Sequence, residues 1–271
     1  MLLSPVPARA STFIESDLSM NAPALRALSI GEILDTAFVL YRRDFAQMVL
    51  ATGLFILPLI AIEAVVPLSY LGIIERLGGI FVLAATAAVV LISSERYMGR
   101  SLDAMSAVRR VGHRFLSVWG AAIFQGLIVG LGFLLLVVPG IIALAYTFAM
   151  QQAVMIEGAT TNESWERSKA LATDNFWRIA GTSIVAFVIV FTASAALGMF
   201  TARYYPDPRW GLIAINLLLV VLHPFGAVVG TVLYYDLRIR KEGYDVQVMA
   251  EQLGGAPARA RFAFDGSRRA R

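Results

Sequence analysis

The sequence predicts an all-α membrane protein: six transmembrane helices as three hairpins, each preceded by a cytoplasmic amphipathic interfacial helix. Three observations predict it. Apolar residues make up 58% of the 271 residues and charged residues only 15%, against roughly 45–50% and 25% in soluble domains. Such an excess is too large for one packed core beneath a wetted surface. Long charge-free stretches alternate with short charged ones, as hydrocarbon spans alternate with loops. The segments that precede each pair of spans also resemble one another.

The expected spans run over Ala46–Val66, Leu77–Ser93, Leu116–Val138, Gly140–Ile156, Ile179–Phe200 and Trp210–Tyr235. Each approaches the roughly 20 residues that a helix rising 1.5 Å per residue needs to cross about 30 Å of hydrocarbon. No residue between Arg114 and Glu157 is charged, and Pro139-Gly140 interrupts that stretch midway, which predicts a tight helical hairpin. The second span is short; if Leu71–Ile74 joins it, Glu75 and Arg76 are expected at an interface.

Orientation follows from lysine and arginine. Twenty of the 23 fall in the N-terminal segment, Glu95–Phe115, Glu157–Arg178 and the C-terminal tail, leaving only Arg76, Arg203 and Arg209 for the other loops. The positive-inside rule then makes the rich set cytoplasmic, with both termini inside. Tyr204, Tyr205 and Trp210 flank Pro206 and Pro208 in an outer loop, as an interfacial aromatic belt would.

The repeated segments define three units. Ser29 and Glu32 stand in capping-box spacing, and Ile30, Ile33, Leu34, Ala37, Phe38, Tyr41 and Phe45 form an apolar stripe at helical period. The second segment places Ala104, Val108, Val111 and Phe115 on one face; the third places Trp165, Ser168, Ala172 and Phe176 so. Each segment ends at a phenylalanine before a membrane hairpin, as an interfacial helix would. Residues 1–28 are expected to form a disordered leader, since a basic start, apolar run and cleavage site are all missing. Met20 is an alternative start to Met1. The membrane domain is expected over 29–245 and a mostly disordered cytoplasmic tail over 246–271.

The sequence carries no cysteine and only two histidines, His113 and His223, which excludes disulfides and thiolate chemistry and leaves little for a metal site. Nucleophile-elbow, Walker and paired-histidine zinc motifs are missing, so neither an enzyme nor a cofactor is expected. The basic residues sit beside spans, where they serve topology and lipid contact rather than nucleic acid. Arg42, Arg43, Arg109, Arg110, Arg114, Arg167, Lys169, Arg238, Arg240 and Lys241 are the candidate contacts to anionic lipid headgroups. Packing cuffs that fix the topology are the plainer expectation for the same helices. Asp236 among Arg238, Arg240, Lys241 and Glu242 reads as an ion-pair network at the membrane exit.

Within the spans, Gln125, Gln152, Asn216 and His223 are the candidate polar positions, with Gln151 beside Gln152. Interhelical hydrogen bonds are their expected role, and packing around a kink is expected of His223-Pro224. Glu63 is expected to reach the outer interface beside Pro67. Gly126 and Gly130, and likewise Gly226 and Gly230, have the spacing that lets membrane helices approach closely, within the bundle or in a homo-oligomer.

SIGEILDTAFVLYRRDF (Ser29–Phe45), VVPGIIALAYTFAMQQAVMIEG (Val137–Gly158), WERSKAL (Trp165–Leu171) and YYDLRIRKEGYD (Tyr234–Asp245) together resemble a bacterial group. It is the glycerophosphoryl diester phosphodiesterase membrane domain family and its relatives, and the resemblance covers Ser29 to Asp245. It implies a membrane domain of the bacterial inner membrane associated with lipid metabolism or envelope proteins. The catalytic barrel fused to this region in some members needs about 250 further residues, so its activity is not expected to carry over. The expectation is a non-enzymatic scaffold that binds anionic lipid and a protein partner. The alternative is a small transporter or transporter subunit with a polar intramembrane path.

Overall fold

The structure, a computed structural model, describes residues 26–205 and 207–252, without the side chains of Leu77 and of residues 249–252. Met1, Met20 and most of the expected leader and tail lie outside the described residues. Among the described residues there are helices and no strands. Six helical stretches are long and apolar enough to cross a membrane.

Helix α1 (Ile30–Arg43) begins at the expected capping box: the Ser29 hydroxyl accepts from the Glu32 amide and the Glu32 carboxylate accepts from the Ser29 amide. Ile33, Ala37, Leu40 and Tyr41 are buried, whereas Phe38 and Phe45 of the expected stripe turn outward. The spans α2 (Phe45–Val65) and α3 (Leu68–Tyr97) follow. α3 is longer than expected at both ends, so Glu75 and Arg76 lie within the helix rather than beside it. The Glu75 carboxyl accepts a hydrogen bond from the Asn216 amide of a later helix at 3.2 Å.

Helix α4 (Ala104–Leu135) corrects the expectation of a separate second interfacial helix. Capped by Asp103 through the Ser106 amide, it runs 32 residues from the basic segment straight into the membrane span. No proline or turn residue separates Arg114 from Leu116, so nothing stops it there. Ala104 and Val111 are buried as expected, but Phe115 is exposed.

The following break falls at Leu136, not at Pro139-Gly140. Pro139 lies in the first turn of α5 (Val137–Thr147), where its missing amide costs no helical bond. A Cβ on Gly132 would come within 2.9 Å of the Gly140 Cα, so the two helices close tightly there. The fourth span continues through a short helix α6 (Met150–Gln152) and a π-helical turn, Ala153–Glu157, that stops at Gly158 with φ 76°. The break before α6 is stitched by α7 (Thr161–Ala172): the Ser168 hydroxyl donates to the Tyr146 carbonyl and accepts from the Ala149 amide. α7 starts earlier than expected, at a capping box of Thr160 and Glu163.

The last spans are α8 (Phe176–Tyr204) and α9 (Pro208–Glu242), and Gly243, at φ 59°, turns the chain into α10 (Tyr244–Gln252). The most extensive packing joins α2 to α3, α4 to α5 and α8 to α9. α3 is the most enclosed span, 65% of its apolar window being buried, while α8 shows only 6% and gives its surface to the surroundings. Along the seam of α3 and α9, Ala87, Ala88, Val90, Val228, Val232 and Leu233 are almost wholly buried.

α1 does not lie across the bundle end. The Leu28 amide before it donates to Asp236, and Tyr41 near its last turn donates to the Val221 carbonyl. Those points on α9 are fifteen residues apart, about 22 Å at 1.5 Å per residue, close to the helix's own length of about 21 Å. α1 therefore runs alongside α9. Val221 belongs to the turn before Pro224, where carbonyls lose amide donors, and Tyr41 supplies one.

Candidate functional site

The charged residues gather at one end of the bundle, called here the basic end. Three ion-pair clamps organise it. Asp44, closing α1, takes a two-pronged contact from Arg96 at the end of α3. Asp236 of α9 is fully buried and accepts from Arg178 at 2.7 Å, from Arg240 at 3.0 Å and from the Leu28 amide at 2.7 Å. Arg178 and Arg240 also donate to the Leu28 carbonyl. The network expected around Asp236 is thus not only local: it ties the chain before α1 to two spans.

The third clamp surrounds Arg167 of α7. Its guanidinium grips Glu157 at 2.8 Å and also Glu242, while Arg238 shares both carboxylates and the Tyr234 hydroxyl donates to Glu157. Burial works against the charge of Arg167, but Glu242 and Glu157 outweigh it and hold its pKa above the ordinary value.

Beside these clamps lies a cavity of about 450 Å³ between the basic ends of α3, α4 and α9. Its charged lining is Glu95, Arg100, Arg110, Arg114 and Arg238, with His113, Ser94, Tyr235 and Tyr244 adding polar edges. The Arg238 guanidinium lies 3.9 Å from the centre of the Tyr244 ring. Glu95 contacts Arg100, raising its pKa, and reaches Arg110 at 3.3 Å. Arg114 donates to the Val154 carbonyl at 3.3 Å. A concave surface with several guanidinium groups and one carboxylate can accept an anion without forcing a buried charge to stand alone.

The structure sorts the headgroup candidates. Arg110, Arg114 and Arg238 line the cavity, whereas Arg167, Arg240 and Lys241 are engaged with carboxylates or carbonyls of the chain itself. Arg42, Arg43, Arg109 and Lys169 are exposed on helices, with Arg42 lying over the Phe38 ring. Sequence reasoning missed Arg100, Glu95 and Tyr244 as cavity residues and Arg178 as a clamp. Arg178 stands at the start of a span, which was a usable signal; nothing local marked the others.

The intramembrane candidates are brought together in pairs. At the far end the Asn216 amide nitrogen lies 3.0 and 3.1 Å from the two Glu63 oxygens and 3.2 Å from Glu75. Glu63 is completely buried, so near the end of α2 its side chain turns into the bundle. Its position on α2 faces α9, and Asn216 supplies the hydrogen bond that water would have given. His223 Nε2 meets the Thr86 hydroxyl at 2.8 Å, and the same hydroxyl lies 2.8 Å from the Val82 carbonyl. Gln152 packs its amide against Gly230, where a Cβ would stand 2.9 Å away, while its buried carbonyl oxygen has no partner among the described residues. Gln125 is half-buried on α4 and joins none of these pairs.

Comparison with known protein families, with curated proteins and with solved structures finds no match to the chain.

Proposed function

We propose that the chain is a non-enzymatic scaffold of the bacterial inner membrane whose basic end, on the cytoplasmic side, holds anionic lipid and a protein partner. The cavity beside Glu95 carries this reading, because it gathers arginines from α4, from α9 and from the loop that follows α3. Each basic residue near an anionic surface contributes about 1 kcal/mol of attraction. The one-sided placement of lysine and arginine supports the same orientation. The resemblance to the phosphodiesterase membrane domain family is in keeping with a role beside lipid metabolism. In this reading the chain comprises three units, each a helix with two spans. Their leading helices differ: α1 lies along α9, the second merges with α4, and α7 braces the fourth span.

Thermal unfolding in neutral detergent tests the proposal. Added phosphatidylglycerol should raise the midpoint by about 2–5 °C more than phosphatidylcholine does, as expected for a ligand of the folded state alone. Equal shifts from the two lipids would remove the anionic preference.

The transporter alternative draws on the convergence of Glu63, Glu75 and Asn216. Against it, the polar pairs do not join. His223 stands seven residues beyond Asn216, about 10 Å along the helix. Ile56, Ile60 and Val220 form a buried apolar cluster on these facing helices.

A further inference from the structure

Arg114 is held in place without a carboxylate. Its Nη1 donates to the Val154 carbonyl in the π-helical turn, and its guanidinium lies against Gly158. That glycine takes φ 76°, and a Cβ there would come 2.8 Å from the Arg114 Nη1. Left-handed backbone and missing side chain together leave the guanidinium a flat seat. Among the described residues Arg114 forms no ion pair, although the other two guanidinium groups of the clamps and cavity nearest in sequence, Arg100 and Arg110, both meet Glu95. Arg110 and His113 occupy the preceding turn of the same helix. On the opposite wall Arg238 is already matched by Glu157 and Glu242. Within the cavity, therefore, Arg100, Arg110 and Arg114 face a single carboxylate.

Glu95 divides its oxygens unequally. One makes the close contact to Arg100, while the other reaches Arg110 at 3.3 Å, a long bond for a charged pair. Arg110 is therefore the arginine that an incoming anion detaches from Glu95 most easily. Two guanidinium groups one turn apart present the paired donors that match phosphate oxygens. A phosphate group offers more acceptor oxygens than a carboxylate and can engage both forks while leaving an oxygen for its ester or for water.

We propose that the cavity binds one phosphate group per chain, anchored by Arg110 and Arg114, with Glu95 as an internal counter-anion that the ligand displaces from Arg110. The proposal rests on the reading of the basic end as an anion-holding surface and narrows it to one site. No bond is made or broken. Glu95 sets the affinity: it offsets part of the empty cavity's positive charge and makes a ligand compete for Arg110. The phosphate belongs to a lipid headgroup or to a soluble phosphate, and the two sources share this chemistry.

Calorimetric titration of the full chain in neutral detergent tests it, with inorganic phosphate in one arm and short-chain phosphatidylglycerol in the other. Glu95→Gln should tighten binding about fivefold, and Arg114→Gln should weaken it about tenfold or more. Arg109→Gln, outside the cavity, should leave it unchanged. This pattern with both probes establishes a general phosphate site; the pattern with phosphatidylglycerol alone establishes a headgroup site. A Glu95→Gln variant that binds no more tightly overturns the proposal, and a destabilised fold cannot mimic the expected gain. Equal losses from Arg114→Gln and Arg109→Gln also overturn it, while leaving general attraction of anionic lipid intact. Failure of that broader reading shows separately, as equal stabilisation by phosphatidylglycerol and phosphatidylcholine.

Discussion

The two ends of the bundle bury carboxylates in opposite ways. At the basic end Asp236 is fully enclosed but has two arginines and a backbone amide around it. At the far end Glu63 is just as enclosed, yet it shares the neutral amide of Asn216 with a second carboxyl, Glu75, and among the described residues no cation pairs with it. A carboxylate that gathers three chain segments acts as a fastener. A carboxyl group with no cation beside it is more easily replaced by an amide of the same shape, because no cation is left behind. Burial alone therefore does not tell which acidic residue holds the fold; the partners do.

Replacing each acid by its amide breaks this comparison most sharply. Asp236→Asn should cost about 3 kcal/mol or more, since it leaves Arg178 and Arg240 without their charge partner. Glu63→Gln should stay within about 1 kcal/mol, because the amide keeps an oxygen for Asn216. Reversible unfolding in mixed micelles reads both, and similar costs at the two ends would sink the distinction. Arg167→Ala should fall between them, about 2–3 kcal/mol, by leaving Glu157 and Glu242 to Arg238 alone. That residue is consequently a poor reporter of lipid contact, despite its basic character.

A smaller effect sharpens the account of the cavity. Gly158→Ala places a side chain on left-handed backbone, costing about 1–2 kcal/mol, and pushes the Arg114 guanidinium off its seat. The expected observation is a modest loss of stability together with weaker retention of phosphate. The smallest effect concerns the start of α1. The Arg26 guanidinium, followed by the Ser29 amide and hydroxyl, holds the Glu32 carboxyl down to about 2. A depressed folded pKa stabilises above the ordinary value of 4.5 and loses that contribution as pH falls toward about 2. Melting curves of wild type and Glu32→Gln should accordingly converge across that acidic window; a constant gap would show that Glu32 acts through something other than its charge.

Much of the fold was legible because the bilayer writes it into composition. Charge-free stretches marked six spans, and Ser29 with Glu32 marked the start of α1, since capping is satisfied within four residues. Features decided by distant partners were hidden. That Glu75 shares the amide of Asn216, 141 positions away, could not be read from its neighbours in sequence. The break at Leu136 lies before the proline because proline is tolerated in the first turn of a helix and so does not mark the last residue of the preceding one. For the site, Arg110, Arg114 and Arg238 were visible as basic residues beside spans. Their convergence with Glu95 was not, because it depends on how α3, α4 and α9 meet.

Native mass spectrometry of the gently solubilised chain, wild type beside an Arg110→Gln, Arg114→Gln double variant, tests most directly whether the basic end holds anionic lipid. The account predicts that wild type retains phosphatidylglycerol through mild activation and that the double variant, folded and equally helical, loses it. Equal retention by both, or a wild-type chain that carries neutral and anionic lipid alike, would contradict it.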